Sequence, residues 1–355
     1  MEETMKRGDK PLLSIVVPVY NGSAYIDELF SQLDKQMMDS VEMVFIDDGS
    51  KDDSLAKLTE RANRTDFAVS VYHQENKGVS VARNYGVQMA RGEYLAFLDV
   101  DDGIVPNFVS VLMDYAQQGI NVLVFDSLRV KPGDSRLTQA STGNVAGKTV
   151  SKQEMLMEFL RDPTRFGVYN LILRRTYLTE KNITFPIGYK YYEDYDYLLQ
   201  VFAQTDDVTR LEQTLYFYIM REGSAMGRFN AERINCLRLM KHREQWLEEV
   251  APEFATDFRQ WGIARLYWSI LWQAALAFPS YREFAEFTEL THAQKYLVKL
   301  KGYPDKLLQL STAIFLICKP VYYFAINMVG RSRSAVAIAY IRDIRANLMG
   351  DAAYY

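Results

Sequence analysis

Three short acidic segments, each beside an apolar run, hold the residues most able to do chemistry. They are Asp47-Asp48-Gly49-Ser50, Asp99-Val100-Asp101-Asp102 and Glu193-Asp194. Carboxylates this close repel one another unless a cation or hydrogen-bond donors compensate. Their oxygens are hard ligands that suit Mg2+ or Mn2+, and two of them leave coordination positions free for a diphosphate. Asp99 and Asp101 are therefore candidate metal ligands, although a D-x-D triplet is also the ordinary content of a solvated turn and only its position can decide. Asp47 and Asp48 suit hydrogen bonds from a base N–H or ribose hydroxyls, with Gly49 permitting the turn. Asp48 or Ser50 serves equally as a helix N-cap.

The stretch from Asn76 to Asn84 brings two cations, Lys77 and Arg83, to pair with phosphate or with one of the acidic clusters. Asp194 is a candidate general base for a hydroxyl within hydrogen-bonding reach. Acids at the start of the following helix are also what the helix dipole favours. Arg221, with Ser224 three residues on, is a candidate second phosphate clamp. His73 and His242 lack partners at metal-ligand spacing and read as structural or surface residues.

The elements that must position these groups follow from periodicity. Residues 12–19 and 41–46 are β-rich runs ending at Asn21-Gly22 and at Asp47-Asp48, and helices are expected over 23–36 and from Ser50 to Asn63. Strand 69–73, helix 78–90 and strand 93–98 complete a β-α-β-α-β-α-β order. That order predicts an α/β fold with a mostly parallel sheet flanked by helices. Ligands of such sheets lie beyond the carboxyl ends of the strands, where Tyr20-Asn21, Asp47-Asp48 and Asp99 to Asp102 should converge.

At 355 residues, 48% hydrophobic and 24% charged, the chain can bury a large core and form more than one unit. A formal net charge of −4 without a Lys/Arg stripe excludes nucleic acid as a main partner. Two distant cysteines, Cys236 and Cys318, indicate neither a disulfide framework nor a zinc site. The first ten residues mix acids and bases, unlike a secretory signal, so a cytoplasmic protein is expected, at most peripheral at the inner face of the cell membrane.

After about residue 230 the pattern turns helical and aromatic. Residues 307–329 are long and apolar enough to span a membrane, but Lys319-Pro320 argues against a span. Two readings stay open. The first is a helix pair lying in a membrane interface, with Lys299, Lys301, Lys306, Arg331 and Arg333 toward anionic headgroups. The second is a buried helical hairpin. The expected organisation is a flexible N-terminus at 1–11, an α/β domain at 12–228 and an all-helical region at 229–355; self-association into a homo-oligomer is compatible with it.

Four segments, Ser14-Ile-Val-Val-Pro-Val-Tyr-Asn21, Phe45-Ile-Asp-Asp-Gly-Ser50, Asn76-Lys-Gly-Val-Ser-Val-Ala-Arg-Asn84 and Gly92-Glu-Tyr-Leu-Ala-Phe-Leu-Asp-Val-Asp-Asp102, resemble in order and spacing the family-2 glycosyltransferases of GT-A fold. The likeness is specific over about 12–110, and moderate over 165–225 through Glu193-Asp194 and Arg221 to Ser224. It implies a nucleotide-sugar donor, with UDP the commonest nucleotide, and Mn2+ or Mg2+ as cofactor. It implies that Tyr20 and Asp48, with Asp47 as a further candidate, contact the nucleoside, that Pro18 and Asn21 belong to the substrate-binding residues, and that Asp99, Val100 and Asp101 form the D-x-D element at ribose and metal. Asp101 is read as the metal ligand and Asp99 as a ribose or outer contact, with the assignment between them open. Asp194 would be the base of a single displacement that inverts the anomeric carbon, Glu193 its neighbour in substrate binding, and nearby tyrosines would stack on a sugar or fill core.

Where many relatives carry a Trp-Asn-Lys segment, this chain reads Val168-Tyr-Asn-Leu171, so a lysine contact there is not expected. The multi-span region and Gln-x-x-Arg-Trp signature of processive synthases are lacking, which favours transfer of single sugars to a glycan or lipid-linked glycan. The rival readings are a phosphoacceptor receiver domain, a catalytically inactive carbohydrate-binding or scaffold protein of the same fold, and a glycoside hydrolase using paired carboxylates.

Overall fold

The computed structural model of the chain describes residues 10–139, 146–221 and 232–329. Two compact units are present: residues 1–159 with 163–222, and residues 160–162 with 223–355. The boundary expected at 228/229 falls outside the described residues, as does Ser224.

The first unit is built on one nine-stranded sheet. Its elements in chain order are β1 (Leu13–Val19), α1 (Ile26–Leu33), β2 (Val41–Asp48), α2 (Ser54–Arg64), β3 (Ala68–Gln74), α3 (Val79–Met89), β4 (Tyr94–Phe97), β5 (Gly103–Ile104), α4 (Phe108–Ala116) and β6 (Val122–Val130). They continue with β7 (Lys148–Ser151), α5 (Lys152–Arg161), β8 (Leu171–Arg174), α6 (Arg175–Glu180), α7 (Glu193–Gln204) and β9 (Asp207–Ile219). The strand order is β3-β2-β1-β4-β8-β6-β9-β5, with β7 on β9. From β3 to β4 the pairing is parallel; β8 then enters antiparallel to both β4 and β6, and β6 pairs β9 in parallel. Strands β1 and β2 are buried on both faces, apolar apart from the hydrogen-bonded Ser14 and Glu42 and the acids that end β2, because helices cover both. Helix α1 buries Ile26, Leu29, Phe30 and Leu33, one stripe at helical spacing, against Ile15, Val17 and Phe45. On the other face Gly86 brings α3 close to the sheet, since a Cβ there would lie 2.3 Å from a Val16 methyl.

Two helices start later than the periodicity predicts, α1 at Ile26 rather than Ser23 and α2 at Ser54 rather than Ser50. The residues between are spent on locking two loops together. Ser50 Oγ accepts from Asn21 N (2.9 Å), Asn21 Oδ1 accepts from Lys51 N (2.8 Å), and Ser54 Oγ accepts from Gly22 N (2.8 Å). Asn21 takes a left-handed backbone (φ 53°) within this lock, a conformation that asparagine tolerates.

The second unit is all-helical among its described residues: α8 (Glu232–Val250), α9 (Pro252–Asp257), α10 (Ala264–Ala277), α11 (Tyr281–Leu290), α12 (Ala293–Leu297), α13 (Lys306–Ile317) and α14 (Lys319–Val329). Lys319-Pro320 ends α13 and opens α14, so the long apolar run becomes two short helices. No helix of the described residues is long and apolar enough to cross a membrane.

Candidate active site

Sheet register gathers the polar strand ends. Val19 pairs Asp47, and Asp48 pairs Gln74, while Phe97 at the end of β4 pairs Val16. Tyr20-Asn21, Asp47-Asp48, Gln74 to Lys77 and Leu98-Asp99 therefore leave the sheet at one end.

The acids at the end of β2 are consumed by their surroundings. Asp48 is buried and accepts three bonds: Gln74 Nε2 (2.7 Å) and Lys77 N (2.9 Å) on Oδ1, and Gly78 N (2.9 Å) on Oδ2. It fixes the turn that opens α3, where Gly78 has φ +89°. Asp47, fully buried, takes His73 Nδ1 at 2.7 Å and Ser50 N at 3.4 Å on Oδ2, while its Oδ1 is buried without a donor. His73 is thus the structural partner of Asp47. Tyr20 is 47% exposed at the same end, and the Lys77 side chain is exposed without an ion pair among the described residues. Beside Lys77, an open groove of about 350 Å³ runs between α3 and Ile187, and its lining includes neither Asp99 nor Asp194.

The acids at the end of β4 are divided among three partners. Asp102 turns inward, accepting from Tyr216 Oη (2.6 Å) and Ile219 N (2.9 Å), which ties the acidic turn to β9. Burial and the adjacent Asp99 charge push the Asp102 carboxyl up to about 8. Asp99 Oδ1 accepts from Arg83 (2.9 Å). Asp101 is the outermost, with a side chain 46% exposed and Arg221 at 3.4 Å. Partial burial and then Asp99 hold the Asp101 carboxyl above its ordinary range, against Arg221. Arg221 is itself set over the Tyr25 ring at 4.4 Å.

Arg83 is the joint of the site. Its side chain is 4% exposed; one terminal nitrogen donates to Asp99 and the other to Asp194 Oδ1 at 2.6 Å. Burial opposes its charge, but Asp194, Asp99 and Glu193 outweigh that and raise its pKa. Of the two partners left open for Arg83 in the sequence, phosphate or acid, the acids occupy it. Helix α7 is brought to this guanidinium by Asn84, which exchanges two 2.9 Å bonds with the Phe185 backbone. The Phe185 ring then stacks on Tyr197 of α7 at 3.9 Å and lies under Arg83 at 5.4 Å.

At the start of α7, Tyr192 holds φ 64°, an uncommon backbone for a bulky residue and of the kind that concentrates at functional sites. It directs the chain into Glu193 and Asp194. Burial first, then Asp99, raise the Asp194 carboxyl against the pull of Arg83; burial and Asp194 push Glu193 up to about 8.

Tyr192, Phe185, Asn84 and Tyr216 were not singled out by their spacing. Tyr216 stacks on Tyr169 at 4.2 Å while its hydroxyl holds Asp102. That arrangement depends on β5 pairing with β9 across more than a hundred residues, for which a local pattern carries no signal.

No three His, Cys, Asp or Glu side chains among the described residues gather as a metal site. The donor set that does fit Mg2+ or Mn2+ is smaller: the outward Asp101 carboxylate beside Asp99, two crowded anions with like-charge strain that a cation would relieve. Mg2+ is commonly held by one or two carboxylates with substrate phosphates and water completing the shell.

Residues 14–180 match the sequence model of the family described as Glycosyl transferase family 2. The chain is 31% identical over 211 residues to the uncharacterized glycosyltransferase EpsJ of Bacillus subtilis, covering 59% of this chain and 61% of that protein. Its fold is similar to Staphylococcus aureus TarS 1–349 in complex with UDP-GlcNAc, with a TM-score of 0.59, 18% identity, and 89% and 90% of the two chains covered. It is also similar, with a TM-score of 0.50 at 16% identity over 87% and 88% of the chains, to a mannosyltransferase of Pyrobaculum calidifontis in complex with GDP-Man and Mn2+. The motif order, the sheet that gathers those motifs and this match place the sheet-bearing unit of the chain in glycosyl transferase family 2, on the GT-A fold.

Proposed function

We propose that the chain moves one sugar from a nucleotide sugar, a UDP-sugar in the first instance, to a hydroxyl of a glycan or lipid-linked glycan in cell-surface polysaccharide synthesis, with inversion at the anomeric carbon. The observation that carries this reading is the Arg83 guanidinium, which holds Asp99 of the D-x-D segment and Asp194 of α7 at 2.9 and 2.6 Å. One donor-side acid and one candidate base thereby face a single locus. The fold likeness to a UDP-GlcNAc complex and to a GDP-Man complex with Mn2+ supports a nucleotide-sugar donor.

In this mechanism the Asp194 Oδ1 stays with Arg83 and its other oxygen accepts the proton of the acceptor hydroxyl. The acceptor oxygen bonds to the anomeric carbon as the carbon–oxygen bond to the diphosphate breaks, and the electron pair leaves with the nucleoside diphosphate. Tyr20 and Asn21 line the nucleoside side with the Asp48-fixed turn, and Lys77 and Arg221 supply positive charge for phosphate. Asp101, with Asp99, would hold Mg2+ or Mn2+, which when bound offsets charge on the leaving diphosphate.

The test is a donor screen across sugar nucleotides, reading nucleoside diphosphate release with and without added Mn2+. One donor should be turned over by the wild type and not by Asp194→Asn. Binding of a donor with no release under any condition would support instead a scaffold that keeps the fold without the reaction.

A further inference from the structure

Helices α13 and α14 each bury one side and expose another, and both sides are apolar. On α13, Leu308 and Phe315 are buried while Leu307, Leu310 and Ile317 are 79%, 58% and 85% exposed. On α14, Tyr322, Tyr323 and Ile326 are buried while Val321, Phe324 and Met328 are exposed by 54%, 58% and 85%. The exposed positions recur at three, four and seven residues, so they form one stripe along each helix. Apolar groups gathered in this way mark an interaction surface, unlike single exposed apolar residues.

The inner sides are well made. Phe284 of α11 meets Tyr322 and Tyr323 at 6.0 and 5.4 Å between ring centres, Trp268 Nε1 donates to Ser311 Oγ (2.6 Å), and Asn327 Nδ2 donates to the Ala275 carbonyl (2.7 Å). The outer stripes are the sides opposite these contacts.

Charge identifies the occupant. Across residues 299–329 the one acid is Asp305, whose carboxylate caps α13 by accepting from Leu307 N and Leu308 N, while Lys299, Lys301, Lys306 and Lys319 are the cations. Lys299 stands over the Tyr296 ring in the field of Glu244 and Lys319 over the Phe315 ring, while Lys301 and Lys306 carry no ion pair among the described residues. In a two-fold pairing the patch would meet itself and set lysine against lysine. We propose that α13 and α14 lie on an anionic phospholipid bilayer, the six exposed side chains entering the boundary between headgroups and acyl chains and the lysines held at lipid phosphates.

The test uses the full chain with vesicles of phosphatidylcholine alone or mixed with phosphatidylglycerol, and needs neither donor nor acceptor, so its outcome is independent of the reaction proposed above. Flotation is expected with the mixed vesicles and to fall with salt. Leu310→Glu with Phe324→Glu should lower partitioning by about tenfold or more. Lys306→Gln with Lys319→Gln should lower it by about tenfold and flatten the salt dependence. Phe324→Trp, a mild change at an exposed position, should add emission over the wild type that shifts to the blue on adding mixed vesicles. Failure of the wild type to float, or flotation unaffected by the glutamates, would overturn the proposal. So would added emission from the Phe324→Trp variant that is already blue-shifted before lipid and unmoved by it, since the stripe would then be covered by protein.

Discussion

Two acidic strand ends look alike in sequence and are used in opposite ways. At the end of β2, Asp48 accepts three hydrogen bonds from Gln74, Lys77 and Gly78, and Asp47 is buried against His73. At the end of β4, only Asp102 is tied up in this manner; Asp99 shares Arg83 with Asp194, and Asp101 faces outward with Arg221 at 3.4 Å. Satisfied carboxylates shape loops. The others share a cation or face outward, and keep lone pairs open to a ligand.

Substitutions separate the two strand ends. The largest expected effect is at the base: Asp194→Asn should lower kcat by about a thousandfold while leaving UDP affinity within a few fold, since general-base catalysis contributes on this scale. Loss of donor binding in that variant would move Asp194 into the nucleotide site. Next, Asp101→Ala should lower kcat/KM by about a hundredfold, as loss of an electrostatic contact to developing charge does. It should leave thermal stability nearly unchanged. Asp48→Ala should do the reverse in kind, costing about 2–4 kcal/mol of stability because two backbone N–H groups and Gln74 lose a charged acceptor. Equal melting temperatures for the two variants would erase the distinction between the strand ends.

A pH profile sharpens the role of Arg83. The Asp194 carboxyl is raised by burial and by Asp99 and lowered by Arg83. A base acts only when ionised, so kcat should fall as pH drops through its pKa. Arg83→Met removes the lowering partner, and the acid limb of kcat should move to higher pH; an unmoved limb would mean that Arg83 does not govern the base. The smallest effect is expected at Lys77, where loss of an exposed cation should raise the donor KM by roughly threefold.

Much of this was legible from local pattern. The β-α repetition and the apolar strands ending in Asn21, Asp48 and Asp99 specify the parallel half of the sheet and the end at which polar groups meet. What local pattern could not carry was pairing across distance. Strand β8 lies antiparallel between β4 and β6, and Asp102 is held by Tyr216 more than a hundred residues later. Glu193-Asp194 admitted both helix capping and chemistry, and α7 does begin at Glu193 while Asp194 reaches Arg83. The apolar run at 307–329 combined two readings, because each helix has a buried apolar side and an exposed one. Hydropathy sums over a helix and does not separate its sides.

The outward acid at the end of β4 is the group on which donor binding most depends in this mechanism. Calorimetry of UDP binding to the full chain, with and without Mn2+, repeated on Asp101→Ala, tests it in one comparison. Mn2+ is expected to strengthen UDP binding to the wild type by at least about tenfold, the gain that would follow if Asp101 with Asp99 held the cation, and the substitution is expected to remove this gain. Binding that is indifferent to Mn2+ and unchanged in Asp101→Ala would contradict it.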